Sequence, residues 1–102
     1  MERIYSLDEI KNLLSPIFAA YPVRKATLFG SYARGEADNG SDLDIVLDSD
    51  YNTMGLRYYE MWDNLSTLVN KSVDLIEEVE LRENTPIYNS IQKDGVIIYD
   101  NR

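Results

Sequence analysis

The segment DLDIVLD, residues 42–48, restricts the fold of this chain more than any other stretch of its sequence. Its residues alternate, so that Leu43, Ile45 and Leu47 share one face of a β-strand while Asp42, Asp44, Val46 and Asp48 share the other. Such a strand must bury its apolar face against other elements. It also directs the carboxylates of Asp42 and Asp44 toward the same point, because their Cα atoms lie about 6.6 Å apart.

Helices are predicted from apolar spacing and from capping residues. Ser6 and Glu9 match a capping box that opens a helix over residues 6–20, and Pro16 is expected to kink or shorten its last turn. Apolar residues at helical spacing predict a second helix over residues 54–69. A third helix begins with Thr85 as N-cap and Pro86 at N1, and ends where Gly95 suits a C′ position.

Three further strands complete the predicted order of elements. They cover residues 24–29, 72–77 and 96–99, and the loop over residues 31–41 contains a helical turn at 31–34. No internal repeat or linker interrupts this order, so residues 1–102 are predicted to form a single domain. The expected fold class is α/β (α+β), a mixed β-sheet of about four strands flanked by helices.

Composition excludes several classes of site. The chain has no cysteine and no histidine, which excludes disulfides, thiolate metal sites, imidazole ligands and a Ser-His triad. Any metal must therefore be held by oxygen, as magnesium, manganese and calcium are. The net charge of -8 is unfavourable for direct nucleic-acid binding and suits a basic partner. With neither a signal peptide nor a long apolar run, the expected location is the cytoplasm, away from membranes.

The acidic strand predicts a metal site. Two carboxylates on a half-buried face repel each other, and a divalent cation between them removes this repulsion. Asp74 lies among apolar residues in the strand SVDLIE, and it would add a third carboxylate if the two strands were neighbours. Before the acidic strand, Gly30 allows close approach to a ligand, Ser31 opens a helical turn that can receive phosphate, and Arg34 can contact a phosphate or a partner.

Each of these signals is weak when taken alone. An isolated Asp-x-Asp is common, and an EF-hand is excluded because Leu47 stands where that loop needs glycine. Tyr58 and Trp62 are expected in the core. The other acids of these strands and their ends are expected to be solvated, namely Asp48, Asp50, Glu77, Glu78 and Glu80. The combination of the motifs carries more weight than any one of them.

That combination resembles the polymerase-β-like nucleotidyltransferase superfamily, and in particular its small prokaryotic branch, the minimal nucleotidyltransferases. The motifs are Gly30-Ser31, a spacer of ten residues, Asp42-Leu43-Asp44, and Asp74 on a later strand. The resemblance implies the nucleotidyltransferase fold and transfer of a nucleoside monophosphate from a nucleoside triphosphate, expected to be ATP, to an acceptor hydroxyl. It implies that Asp42, Asp44 and Asp74 are catalytic and hold Mg2+, with two ions expected.

The resemblance also implies which residues contact the nucleotide and which protein is the partner. Gly30, Ser31, Arg34 and Ser41 are the candidates for nucleotide binding. Larger members carry a further domain for the acceptor, which is not expected within 102 residues, so a second protein is expected to complete the acceptor site. Minimal nucleotidyltransferases accompany HEPN toxins and act as antitoxins that add AMP to a toxin tyrosine.

Two other functions remain open from the sequence. One is a nucleotidyltransferase that modifies a small molecule or an RNA end, although the net charge disfavours an RNA acceptor. The other is a binding module that blocks its partner by occlusion without catalysis.

Overall fold

The computed structural model describes residues 4–102, which are organised around a four-stranded β-sheet. In chain order the elements are α1 (Leu7–Ala19), β1 (Val23–Phe29), α2 (Ser31–Arg34), β2 (Leu43–Ser49), α3 (Tyr51–Met54), α4 (Arg57–Val69), β3 (Val73–Glu77), a 3₁₀ turn (Glu78–Glu80), α5 (Pro86–Asp94) and β4 (Val96–Asp100). The strand order is β3-β2-β1-β4. Strands β2 and β3 are parallel, while β1 is antiparallel to both β2 and β4. The mixed sheet flanked by helices is therefore confirmed.

One face of the sheet forms the hydrophobic core with α1 and α4. Leu43, Ile45 and Leu47 on β2 are fully buried, as their alternation predicts. The helices contribute apolar residues at helical spacing: Ile10, Leu14 and Phe18 from α1, and Met61, Leu65 and Val69 from α4. Each fully buried Leu or Ile stabilises the fold by about 1.5–3 kcal/mol, so this face determines how β2 sits in the sheet.

The connection between β2 and β3 differs from the single helix predicted over residues 54–69. Parallel neighbours need a crossover, and here α3 and α4 provide it with a break between them. Gly55 ends α3 with a φ of 56° and a ψ of -130°, a conformation outside the helical region. The apolar periodicity is correct for α4, but the backbone at Gly55 separates Met54 from it.

Two other local predictions concern Pro16 and Gly95. The capping box of Ser6 and Glu9 is present, but Pro16 lies inside α1 and the helix continues to Ala19. Of the two effects expected of Pro16, the shortening is wrong and the kink stays a prediction. Burial of one helix face compensates for the single hydrogen bond that a proline removes. Gly95 has a φ of -60° rather than a left-handed conformation. It is required there because a Cβ would stand 2.5 Å from the Ile91 carbonyl oxygen.

The opposite face of the sheet carries α5, which packs against β1. An open groove of about 350 Å³ lies between them and is lined by Thr27 and Val46 of the sheet and by Tyr88, Ile91 and Gln92 of α5. Thr27 pairs with Val46, and Val46 shares its face of β2 with Asp44. The groove is therefore on the acidic face of the sheet. Within residues 4–102, no helix is both long and apolar enough to cross a membrane.

Candidate active site

Asp44 and Asp74 are direct neighbours in the sheet. They form a register pair between the parallel strands β2 and β3. Neighbouring strands lie about 4.8 Å apart, and paired residues point to the same face, so the two carboxylates stand side by side. Asp44 is half-buried and Asp74 is exposed. The sequence predicted that Asp74 would join the acidic site only if its strand lay beside β2. Strands β2 and β3 are neighbours, so this condition is met.

The electrostatic environment of Asp44 is unfavourable for its charge. Burial is the largest cause that raises its pKa from 3.8 to about 6, followed by repulsion from Asp74, hydrogen bonding with Asp74 and repulsion from Asp42. The positive charge of Arg34 acts weakly in the other direction. Among residues 4–102, Asp44 therefore lacks a positive neighbour that is sufficient to offset these effects.

The donor set fits a hard divalent cation. Asp42 immediately precedes β2, is exposed, and is close enough to Asp44 to raise its pKa. Oxygen-only ligands match magnesium, and a cation at this position would reverse the repulsion that Asp44 experiences. In the side-chain positions seen here, no three acidic residues among 4–102 are arranged to hold one ion. A shared site of Asp42, Asp44 and Asp74 stays a prediction.

Gly30 is required by its contact with Asp44. Phe29 pairs with Asp44 across β1 and β2, so the residue that follows Phe29 lies beside the Asp44 side chain. A Cβ at Gly30 would overlap the carboxylate of Asp44. Gly30 also has a φ of 77° and a ψ of -155°, a region of backbone conformation that is essentially restricted to glycine. Both observations explain why glycine precedes Ser31.

The three side chains predicted to contact the nucleotide differ in their surroundings; they are Ser31, Arg34 and Ser41. Ser31 is half-buried and begins α2 directly after Gly30, close to Asp44. Arg34 ends the same short helix, forms a 2.8 Å ion pair with Glu36 and still influences Asp44 through its charge. Ser41 has a structural partner, since its Oγ accepts a hydrogen bond from the Asp38 amide at 2.9 Å. The structure thus groups Ser31 and Arg34 with the acidic pair and assigns Ser41 to a turn.

Two other acids of these strands are separated from the acidic pair. Asp48 shares the face of Asp44 but forms an ion pair with Arg24 at 2.7 Å. Glu77 was expected to be solvated, and this is wrong, because its side chain is only 5% exposed. It accepts hydrogen bonds from Ser49 Oγ at 2.8 Å and from Tyr58 Oη at 3.2 Å. The alternation of β3 places Glu77 on the face of Val73 and Leu75, a signal that could have identified its burial.

The aromatic residues Tyr58 and Trp62 are partly buried against the core, and each uses its polar end. Trp62 donates through Nε1 to the carbonyl oxygen of Val73, directly before Asp74. Tyr58 donates to Glu77.

Comparison with protein families and curated proteins identifies relatives along most of the chain. Residues 12–102 match the family described as polymerase beta, nucleotidyltransferase. The protein adenylyltransferase MntA of Thermococcus cleftensis is 33% identical over 81 residues, covering 76% of this chain and 82% of that protein. A Methanocaldococcus jannaschii protein, provisionally named as a protein adenylyltransferase, is 37% identical over 78 residues, covering 72% of this chain and 91% of that protein.

Solved structures share the fold at low identity. A toxin–antitoxin complex with AMP-PNP matches with a TM-score of 0.72 at 20% identity, covering 88% of this chain and 73% of that one. A complex of tri-AMPylated Shewanella oneidensis HEPN toxin with MNT antitoxin matches with a TM-score of 0.66 at 17% identity, covering 92% of this chain and 72% of that one. At such identities the likeness concerns the fold.

Proposed function

The chain belongs to the polymerase β nucleotidyltransferase family, and we propose that it transfers AMP from ATP to a hydroxyl group of a partner protein. The observation that carries this proposal is the register pair of Asp44 and Asp74 beside Gly30, with the pKa of Asp44 raised to about 6. This arrangement suits a site that binds a cation and a phosphate chain and that positions an acceptor hydroxyl supplied by another molecule.

The metal-binding part of the proposal assigns Asp42, Asp44 and Asp74 to Mg2+, with two ions. Bound magnesium would neutralise phosphate charge and lower the pKa of the acceptor hydroxyl. Asp44 is the central ligand, since it is half-buried and both other acids raise its pKa. Its orientation is supported by Gly30, where any side chain would displace the carboxylate.

The proposed reaction forms one bond and breaks one. The acceptor oxygen attacks the α-phosphorus of ATP, the bond from that phosphorus to the bridging oxygen breaks, and pyrophosphate leaves. The proton of the acceptor hydroxyl goes to a carboxylate oxygen of Asp74, which is exposed to an incoming acceptor and stands beside Asp44. The residues of the chain position the reactants and accept the proton.

Nucleotide binding is assigned to Gly30, Ser31 and Arg34, with Ser41 as an additional candidate. The first amides of α2 and the hydroxyl of Ser31 directly follow Gly30, which contacts Asp44, and we assign them to phosphate oxygens. Arg34 adds a positive charge that reaches Asp44. The groove of about 350 Å³ begins at Val46, one pleat from Asp44, and can hold the nucleoside or part of the acceptor.

The partner is proposed to be a HEPN toxin, so that the protein acts as an antitoxin, and the acceptor is proposed to be a tyrosine. Support comes from relatives named as protein adenylyltransferases and from the HEPN–MNT complex with the same fold. The net charge of -8 suits a basic partner and disfavours direct binding of RNA.

The test is to incubate the purified protein with ATP, magnesium and the product of the neighbouring gene, and to measure the intact mass of that product. We expect a gain of one or more AMP units. The double variant Asp42→Asn with Asp44→Asn should abolish this gain. Asp63→Asn, an exposed change of the same type on α4, is the matched control and should retain it.

The outcomes separate catalysis from occlusion. Loss of the mass gain in the double variant, while the complex still forms in size-exclusion chromatography, supports catalysis that depends on Asp42 and Asp44. A stable complex without any mass gain from the unmodified protein would contradict adenylyl transfer to this partner. A small-molecule or RNA-end acceptor would then be tested directly, and neutralisation of the toxin by the double variant would indicate occlusion.

A further inference from the structure

A second pocket of about 260 Å³ lies at the other end of the sheet, on its opposite face. It is lined by three tyrosines and two glutamates, namely Tyr51, Tyr58, Tyr59, Glu77 and Glu80. Glu77 is three residues after Asp74 on β3, so the two side chains leave the sheet on opposite faces. Ser49, which holds Glu77, is five residues after Asp44 on β2, a distance of about 16 Å along the strand.

The floor of this pocket is the buried carboxylate of Glu77, which has no ion-pair partner among residues 4–102. Glu77 accepts hydrogen bonds from the hydroxyls of Ser49 and Tyr58, both of which are donors suited to an ionised carboxylate. No lysine or arginine of residues 4–102 forms an ion pair with it. Arg24 donates to the Ser49 carbonyl, but its ion pair is with Asp48. Burial raises the pKa of Glu77, so its charge is incompletely compensated.

The walls of the pocket are aromatic rings, and Glu80 adds a second acid. The rings of Tyr58 and Tyr59 are arranged edge to face with their centroids 6.1 Å apart. Tyrosine faces attract a cation electrostatically, and this attraction increases when water is excluded. Aromatic faces beside two carboxylates form an environment that is selective for an organic cation over an anion or a neutral group.

Two exposed apolar residues directly follow or precede residues that line the pocket. Leu56 adjoins the pocket residue Gly55 and is 84% exposed, while Val79 adjoins Glu80 and is 72% exposed. Tyr59 itself is 66% exposed. Exposed apolar side chains gathered around a pocket are typical of protein–protein interaction sites.

We propose that this pocket is an anchor site for an arginine side chain presented by a protein partner. Its volume of about 260 Å³ is below the roughly 300–1,000 Å³ of small-ligand sites, and suits one long side chain. The planar guanidinium stacks on tyrosine rings and donates in a fork to carboxylates such as Glu77 and Glu80, which a lysine ammonium does not do. The apolar residues Leu56 and Val79 contact the surface around the arginine.

The anchor site shares no residue with the acidic pair of Asp44 and Asp74. Its occupation therefore requires neither nucleotide nor metal, and it goes beyond the proposed adenylyl transfer. A negative result in the AMP-transfer assay would not contradict the anchor site. A negative result in the peptide-binding assay would not contradict adenylyl transfer.

The test uses the full chain labelled with 15N and two short peptides, acetyl-Gly-Ser-Arg-Ser-Gly-amide and the same peptide with citrulline, which is neutral and nearly isosteric with arginine. Amide shifts are followed during titration at millimolar concentrations. We expect the arginine peptide to shift the amides of Tyr51, Gly55 and Tyr59 in a saturable manner. The citrulline peptide should bind about tenfold more weakly, because it lacks the charge that the carboxylates and rings attract.

Variants assign the binding to the pocket. Glu77→Gln removes the charge while keeping the shape, and should weaken binding of the arginine peptide at least about fivefold. Tyr59→Ala, an exposed position, should also weaken it without disturbing the fold, which the fluorescence of Trp62 checks. If Glu77→Gln alters the fold, the same measurement is made on Glu80→Gln, which removes the other carboxylate of the pocket. Asp63→Asn is the matched control with the same charge change and should bind as the unmodified protein does.

Three results would overturn the proposal. Equal affinity for the arginine and citrulline peptides would show that charge is not recognised. Unchanged affinity of the arginine peptide for Glu77→Gln, Glu80→Gln and Tyr59→Ala would show that it binds outside this pocket. The absence of amide chemical-shift changes at the pocket with either peptide would show that the pocket does not bind arginine.

Discussion

Asp44→Asn is expected to make the metal-free protein more stable at neutral pH while it removes activity. The pKa of Asp44 is raised to about 6, so its ionised form is less favourable in the folded protein than in the unfolded chain. At a pH well below the unfolded-state pKa of about 3.9, the carboxyl is protonated in both states and no destabilisation arises. As the pH rises through about 6 the destabilisation develops fully, so the stability of the unmodified protein falls over this interval.

The size of the effect follows from the pKa difference. A change from 3.8 to about 6 corresponds to about 3 kcal/mol of unfolding free energy when each pKa unit is worth about 1.4 kcal/mol. Because Asp44 is only half-buried, solvent screening reduces this, and we expect about 1–2 kcal/mol. For a domain of this size, 1 kcal/mol raises the melting temperature by about 4–8 °C.

The assay is urea unfolding in EDTA at several pH values between 4 and 7.5, followed by the fluorescence of the single tryptophan. Trp62 is a suitable reporter because its indole donates to the Val73 carbonyl, next to Asp74. The midpoint of the unmodified protein should decrease as the pH rises, and that of Asp44→Asn should decrease less. Magnesium should then stabilise the unmodified protein more than the variant, because a ligand that binds the folded state raises its stability.

The control for this prediction is a variant with the same charge change at a site outside the acidic strand. Asp63→Asn makes the same charge change on an exposed part of α4 and should leave the pH dependence intact. If Asp44→Asn lowers the metal-free stability at pH 7.5, or keeps the full pH dependence, the repulsion assigned to Asp44 does not exist. The electrostatic basis for a cation at this position would then be lost.

Three further predictions concern residues around the two sites. Gly30→Ala should destabilise the fold by about 1–3 kcal/mol in urea unfolding and reduce transfer, because its conformation is restricted to glycine and the new Cβ overlaps Asp44. Ser49→Ala should cost about 1–3 kcal/mol, because buried Glu77 loses a donor, while Ser49→Thr should cost less in the same assay. Arg34→Gln should raise the KM for ATP without changing the melting temperature by more than about 2 °C, since Arg34 is exposed; an unchanged KM would remove it from the nucleotide site.

Local signals in the sequence predicted most elements. The capping box at Ser6 and the N-cap at Thr85 with Pro86 depend on residues within one helical turn, and both form as expected. The alternation over residues 42–48 required one buried face and one acidic face, because adjacent residues of a strand point to opposite sides. These features are decided within a few residues, so the sequence alone was sufficient for them.

The sites depend on contacts between residues that are distant along the chain. Asp44 and Asp74 are neighbours because burial of the apolar face of β2 and the crossover through α3 and α4 place β3 beside it in register. Glu77 looked solvated because an isolated acid favours water, yet the same pairing carries it to Ser49 and Tyr58. The sequence by itself determined which residues could share a face. Only the tertiary structure decided which carboxylates meet, because strand order and register are set by packing of the whole core.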